Sequence, residues 1–326
     1  GATNTAVTRF PGEKFGNWFP NTFDRVLLDA PCSMQGLRTA ESHDSRPVTE
    51  KESRLLSQRQ VALLTSALQA LRIGGEVVYS TCTLLPLENE GVVESVLSKY
   101  GNSVVLLDAQ KALPNPAPGI QRGGGLEYQH DMGRVIRLWP HRFQTAGFFA
   151  CLLQKTGEIP HKPVPAPEHS MEAAGFNELS NIETNRFANE FAQWTGYDLS
   201  LYLVENRRVL VRRDQRVFIF PALLLERFRS LPVQSAGMLL GEWEGEEFIL
   251  SHEWVLRFGK HCSEISVKLD EERFSHYTNG EDLIGFHDNV NSSSLVRVVA
   301  DAAGRIAGRG RVVADRLKNL SSRQLR

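Results

Sequence analysis

TFDRVLLDAPCS, residues 22–33, and EVVYSTCTLLPLENE, residues 76–90, decide the fold. In each, a short apolar run stops at polar residues and a cysteine follows, Cys32 in one and Cys82 in the other. A brief apolar run bounded by polar residues reads as a buried strand. Val26–Leu28 therefore predicts one strand and EVVYSTCT the next. Between them, Thr49 and Glu52 make a candidate capping box. Leu56, Leu63, Leu64, Ala67, Leu68 and Leu71 then recur at helical spacing. Gly74 and Gly75 are expected to stop that helix, and Pro86 to open another over 86–99. SVVLLDA and GFFACLLQK (147–155) read as further strands around a Pro- and Gly-rich loop over 110–134. Strands alternating with helices predict an α/β domain with a mostly parallel sheet.

Working outward, 326 residues suffice for two or three domains, and 41% hydrophobic with 23% charged residues is ordinary for a globular chain. A formal net charge of −1 means that any basic surface must be local. No apolar run approaches membrane-spanning length and no signal peptide opens the chain, so no membrane is expected as a partner. Cys32, Cys82, Cys151 and Cys262 are widely spaced without a CxxC pair. That speaks against a metal site or a disulfide scaffold and fits a reducing cytoplasm. Residues 156–170, rich in proline, read as a linker. A helix is expected over 178–195, with Phe187, Phe191 and Trp194 at helical spacing, and LYLVENRRVLVRRDQRVFIF reads as an antiparallel meander. The organisation expected is therefore 1–155, an α/β domain; 171–232, a small α+β domain; and 233–326, a β-rich module.

Cys32 and Cys82 hold equivalent places, each just past the carboxyl end of a strand, with one helix between the strands. A right-handed crossover makes such strands neighbours, about 4.8 Å apart, and open α/β sheets bind ligands at this end. Two readings stand at this point. The thiols are packing residues, or they are a convergent pair for covalent catalysis; a redox pair is weaker without CxxC. Only Cys82 has a helix start close behind it, at Pro86, to favour a thiolate.

DAPCS (29–33), YSTCTLLPLENE (79–90) and GFFACLL (147–153) together resemble the Nop2/Sun family of RNA cytosine-C5 methyltransferases, and later segments such as RVFIFP and DRLKNL resemble its ribosomal small-subunit members. The resemblance implies a partial Rossmann-like methyltransferase sheet followed by a small α+β domain and a PUA-like RNA-binding module over 233–326. It implies methylation of cytosine C5 by S-adenosylmethionine through a covalent Cys–C6 adduct. Cys82 matches the family's nucleophile, Cys32 its release residue, and Asp29 a cofactor contact. The implied partner is RNA, ribosomal first and transfer RNA second, within a ribosomal subunit in the cytoplasm. Arg305, Arg309, Arg311, Arg316 and Lys318, interleaved with glycine near the end of the chain, are candidates for phosphate contact.

The chain also departs from the family. The Gly-rich cofactor loop and the ribose-binding acid are missing, and GATNTAVTRF opens the chain where the family has its third strand. Pro11-Gly12 stands for the family's Asp-Gly, and Met34-Gln35-Gly36 for its small GEG or GTG. A fragment is therefore expected, and a catalytically incomplete RNA-binding or ribosome-assembly protein is the alternative to the enzyme.

Overall fold

The computed structural model describes residues 3–37, 47–123, 125–162, 164, 165, 170–288, 290 and 294–320. They form two compact units, one of residues 10–166 and one of residues 1–9 with 167–326. The expected linker falls partly outside the described residues.

In the first unit, β1 (Phe23–Asp29) leads through α1 (Glu50–Ala70) to β2 (Leu71–Thr81), and α2 (Glu90–Tyr100) follows. β3 (Val104–Leu107), β4 (Ile136–Leu138) and β5 (Phe148–Lys155) complete the main strands. β1 and β2 pair in parallel, but β5 runs antiparallel to β2, β3 and β4. The sheet is thus mixed rather than mostly parallel, because β5 inserts beside β2 and turns the direction. β1 lies at its edge among the described residues, with Leu27 75% exposed. The core is built from Leu64, Leu68 and Leu71 against Val77, Tyr79, Phe149 and Leu153.

Thr49 caps α1 by accepting from the Glu52 N–H, as the sequence predicts. The other end of that helix differs. Leu71 to Gly75 belong to β2, so helix passes into strand without a loop. Tertiary bonds do what a glycine cap would do. Asn21 N–H donates to Gln69 O and Thr22 N–H to Ala70 O, while the buried Lys155 Nζ donates to Leu71 O at 2.8 Å. Burial lowers the pKa of that lysine. Pro86 opens only a single 3-10 turn, Pro86–Glu88, and α2 begins at Glu90.

In the second unit, α3 (Asn181–Thr195) carries a complete Ser180/Glu183 capping box and packs Phe187 and Phe191 inward. LYLV is helical, not a strand: α4 (Leu199–Glu205) starts where Asp198 caps the Leu201 N–H, and it buries Leu199 and Leu203 one turn apart. An unbroken apolar run carries no period, so the cap decided. β6 (Arg208–Arg213), β7 (Arg216–Pro221), β8 (Met238–Glu244) and β9 (Glu247–Leu250) form an antiparallel sheet. After α5 (His252–Phe258), a second sheet contains β10 (Ser266–Leu269), β11 (Val296–Asp301), β12 (Ile306–Val313) and β13 (Arg316–Asn319). Ala6–Thr8, expected beside the methyltransferase strands, pairs instead with Val233–Ala236.

One buried ion pair stands out in the first unit. Glu90 and Arg137, both side chains fully buried, meet through two bonds of 2.6 Å. Glu90 also accepts from the Ile120 N–H, and Arg137 donates to Leu84 O. Removing one partner strands a charge, which typically costs about 3–5 kcal/mol. Arg137→Met should therefore lower the urea-unfolding free energy by about that amount, and adding Glu90→Gln should recover part of it. A loss below about 1 kcal/mol would show that the pair is not isolated from water.

Candidate active site

The parallel register brings the two cysteine loops together. Asp29 pairs with Ser80, and Ala30 N–H donates to Ser80 O at 3.0 Å. Two residues further on, the thiols meet, with Cys32 Sγ 3.2 Å from Cys82 Sγ and both half-buried. The hydroxyls of Ser33 and Thr83 lie 2.9 Å apart, and Gly36 N–H donates to Cys82 O at 2.9 Å. Gly147 N–H in turn donates to Gly36 O. A Cβ on Gly36 would stand 2.6 Å from Gly147 O and 2.7 Å from Cys82 O, so only glycine fits this approach. Met34, where the family carries a small residue, has φ 55°, a left-handed conformation that a side chain resists.

Each cysteine is bracketed by a buried polar side chain. Glu88 accepts from the Ser33 N–H at 2.9 Å, from the Ser53 hydroxyl at 3.1 Å and from Gln60 Nε2 at 3.2 Å. The same Gln60 amide donates to Pro31 O at 2.8 Å, so Cys32 is held through the residues on both sides of it. Asn89 does the same for Cys82. It accepts from the Thr81 hydroxyl at 2.6 Å and donates to Thr83 O at 3.0 Å. Gln60, Glu88 and Asn89 are fully buried. The sequence reading passed over all three. Gln60 had a signal, since it falls four residues from both Leu56 and Leu64 on the apolar stripe. Glu88 and Asn89 had none, because a polar run before a helix ordinarily faces water.

The Cys82 thiol rests neutral. Burial, then the hydrogen bond and proximity of Cys32, and also the Asp29 charge, push the Cys82 pKa up to about 12. The helix start expected to lower it is remote, since α2 begins eight residues later. Asp29 is exposed, and its Oδ1 accepts from the Ser80 hydroxyl at 3.2 Å. Asp29 is thus an exposed carboxylate at the strand ends. No Gly-rich backbone cradle accompanies it there.

The candidate RNA cations lie in the other unit, and most are engaged. Arg305 pairs with Asp301 and Arg316 with Asp282, while Arg311 lies between Glu244 and Glu247. Arg309 is largely covered and donates to Leu250 O. Lys318 is exposed without a carboxylate partner among the described residues. Cys151 is buried in the sheet and Cys262 in the other core, as packing residues. No group of residues suited to a metal ion occurs among the described residues.

With this geometry in hand, the comparisons are specific. Residues 1–154 match the family model described as 16S rRNA methyltransferase RsmB/F. Ribosomal RNA small subunit methyltransferase F of Aeromonas salmonicida (strain A449) is 30% identical across all of this chain, and that of Erwinia tasmaniensis 29%. The chain spans 63% of the length of each. Among solved structures, NSun6 from Pyrococcus horikoshii with SFG is 31% identical over 46% of this chain and 34% of its own, with a TM-score of 0.37. A methyltransferase homolog from Pyrococcus horikoshii is 33% identical over 41% of this chain and 39% of its own, with a TM-score of 0.35.

A raised pKa has a kinetic signature. At pH 8 Cys82 should alkylate with iodoacetamide roughly fiftyfold slower than an unperturbed thiol, the lower thiolate fraction being partly offset by higher nucleophilicity. The rate should keep climbing above pH 9, because fewer thiols ionise below the raised pKa. Cys32→Ala removes a hydrogen bond and a neighbour that both oppose the thiolate, so Cys82 should alkylate faster. Mass spectrometry of the labelled peptide reads this out; equal rates in the two proteins would contradict the coupling.

Proposed function

We infer that the chain, whose residues 1–154 match the RsmB/F methyltransferase family model, attacks RNA as an RNA cytosine-C5 methyltransferase. The favoured substrate is small-subunit ribosomal RNA, with transfer RNA second, and the setting is the cytoplasm. The observation that carries this reading is the 3.2 Å contact of Cys32 and Cys82 at the ends of adjacent parallel strands. Such family methyltransferases use S-adenosylmethionine, which supplies the methyl group; of the groups that would hold it, the described strand ends offer Asp29.

Cytosine C5 is too poor a nucleophile to take a methyl group unaided. In our reading the Cys82 proton passes to solvent, Cys82 Sγ bonds to C6, and the C5–C6 electron pair moves to C5. After C5 is methylated, its proton passes to a base, for which Cys32 is placed. The pair returns to C5–C6 and expels the Cys82 sulfur. Because Cys82 rests neutral against Cys32, the incoming base must break that contact before attack. The target must be unpaired or flipped, since C6 is inaccessible in a stacked helix. Residues 233–326 are taken as the PUA-like RNA-binding part. There Lys318 is ready for phosphate, whereas Arg305, Arg311 and Arg316 reach it only by exchanging carboxylate partners, and Arg309 only by uncovering.

The two cysteines should fail differently when substituted. In a protein extended to the length of its curated relatives, Cys82→Ala should lose methylation and any covalent RNA adduct. Cys32→Ala should attack and methylate, then fail to release. It should accumulate a protein–RNA adduct that survives denaturing gel electrophoresis and vanishes in the double variant. An adduct with Cys82→Ala and none with Cys32→Ala would reverse the roles, and unchanged turnover in both would end the covalent reading.

A further inference from the structure

The turn Trp139–Gly147 is fastened to the cysteine site at both ends. At one end Arg137, locked to Glu90 and Leu84 O, lies under the Trp139 ring with its guanidinium 5.0 Å from the centroid. At the other, Gly147 N–H donates to Gly36 O, and Gly36 N–H to Cys82 O. Leu84 presses on the same glycine, leaving no room for a Cβ there. Between these anchors a short helix, Pro140–Phe143, closes on Trp139 O and presents His141 and Arg142 to solvent. Arg142 lies against the Phe143 ring, 5.5 Å from its centroid.

Arg142 is distinguished by its charge state of affairs. Every other described arginine of this unit sits within ion-pair distance of a carboxylate, from Arg25 on Glu76 to Arg137 on Glu90. Arg142 has no carboxylate partner among the described residues. Meanwhile the cysteine strands end at an exposed anion, Asp29. A polyanion brought to these thiols meets repulsion from that carboxylate, and a cation with no carboxylate partner of its own, on a turn fastened to the same site, offsets it. An arginine stacked on an aromatic ring is pre-organised for phosphate oxygens.

We propose that the Trp139–Gly147 turn is a phosphate-contacting edge of the cysteine site, with Arg142 holding the backbone of the RNA strand whose cytosine reaches Cys82. This rests on the reading of Cys32 and Cys82 as an RNA site. The contact is to phosphate and sets position, not sequence.

The test is fluorescence anisotropy of the full chain with a single-stranded, cytidine-containing RNA oligonucleotide over a range of salt concentrations. Arg142→Ala should reduce the slope of log K against log salt by about 0.7, the loss of one phosphate contact to a single strand. Arg142→Lys should restore it. Arg54→Ala, which removes an exposed arginine already paired with Glu50, should leave the slope unchanged. A wild-type slope in Arg142→Ala, or an equal fall in Arg54→Ala, overturns the proposal. The adduct assay on Cys32→Ala separates the two ideas. A slope change without an adduct leaves the contact standing and removes the catalytic reading; an adduct without a slope change does the reverse.

Discussion

Three consecutive polar residues, Glu88, Asn89 and Glu90, are fully buried directly after the second cysteine loop, and the rest of the first unit is arranged around satisfying them. A buried amide or carboxylate without partners costs several kcal/mol. Each of the three therefore recruits a different part of the chain. Glu88 draws in the Cys32 loop and α1, Asn89 fixes the residues either side of Cys82, and Glu90 pairs with Arg137 on β4 and takes the Ile120 N–H. The thiol contact is a consequence of this convergence. Neither cysteine makes it alone, since strand pairing ends before them.

The same convergence explains why Cys82 rests unreactive. The buried acids hold the loops, the charge that bears on Cys82 is that of Asp29, and no cation faces the thiols among the bonds described. Burial and mutual contact then keep Cys82 protonated. On the proposed covalent reading, activation is left to the substrate. The left-handed Met34 and the tight Gly36–Gly147 approach show that the Cys32 loop is held against its own backbone preference. In the other unit, local carboxylates engage Arg305, Arg311 and Arg316, which look free in the sequence.

Much of the architecture was legible because it rests on local signals. The α1 stripe and its Thr49 cap, the strands ending at Cys32 and Cys82, and the capping box of α3 all lie within a few residues of their cause. What was illegible depended on distant partners. Lys155, Asn21 and Thr22 end α1 four residues before the glycines that seemed to do so. β5 turns the sheet antiparallel through pairings more than forty residues apart. LYLV lacked a period, and only the Asp198 cap made it helical. In the site, the cysteines were found through matched positions and a family resemblance, whereas the residues that hold them were hidden. Glu88 and Asn89 look like a solvated helix start, and Arg305, Arg311 and Arg316 look like free cations until their carboxylates are located.

The central claim is that buried side chains, not strand pairing, hold Cys32 against Cys82. The equilibrium of the pair with glutathione disulfide measures this directly: two thiols and one glutathione disulfide give one protein disulfide and two glutathione thiols. The equilibrium constant is the effective concentration of one cysteine at the other. Gln60→Leu keeps the apolar stripe and the helix but removes the bond to Pro31 O and one of the three to Glu88. The effective concentration should fall at least about tenfold, since each of the two lost hydrogen bonds is worth roughly 1–1.5 kcal/mol. An unchanged constant in a variant with a wild-type circular dichroism spectrum would contradict the account.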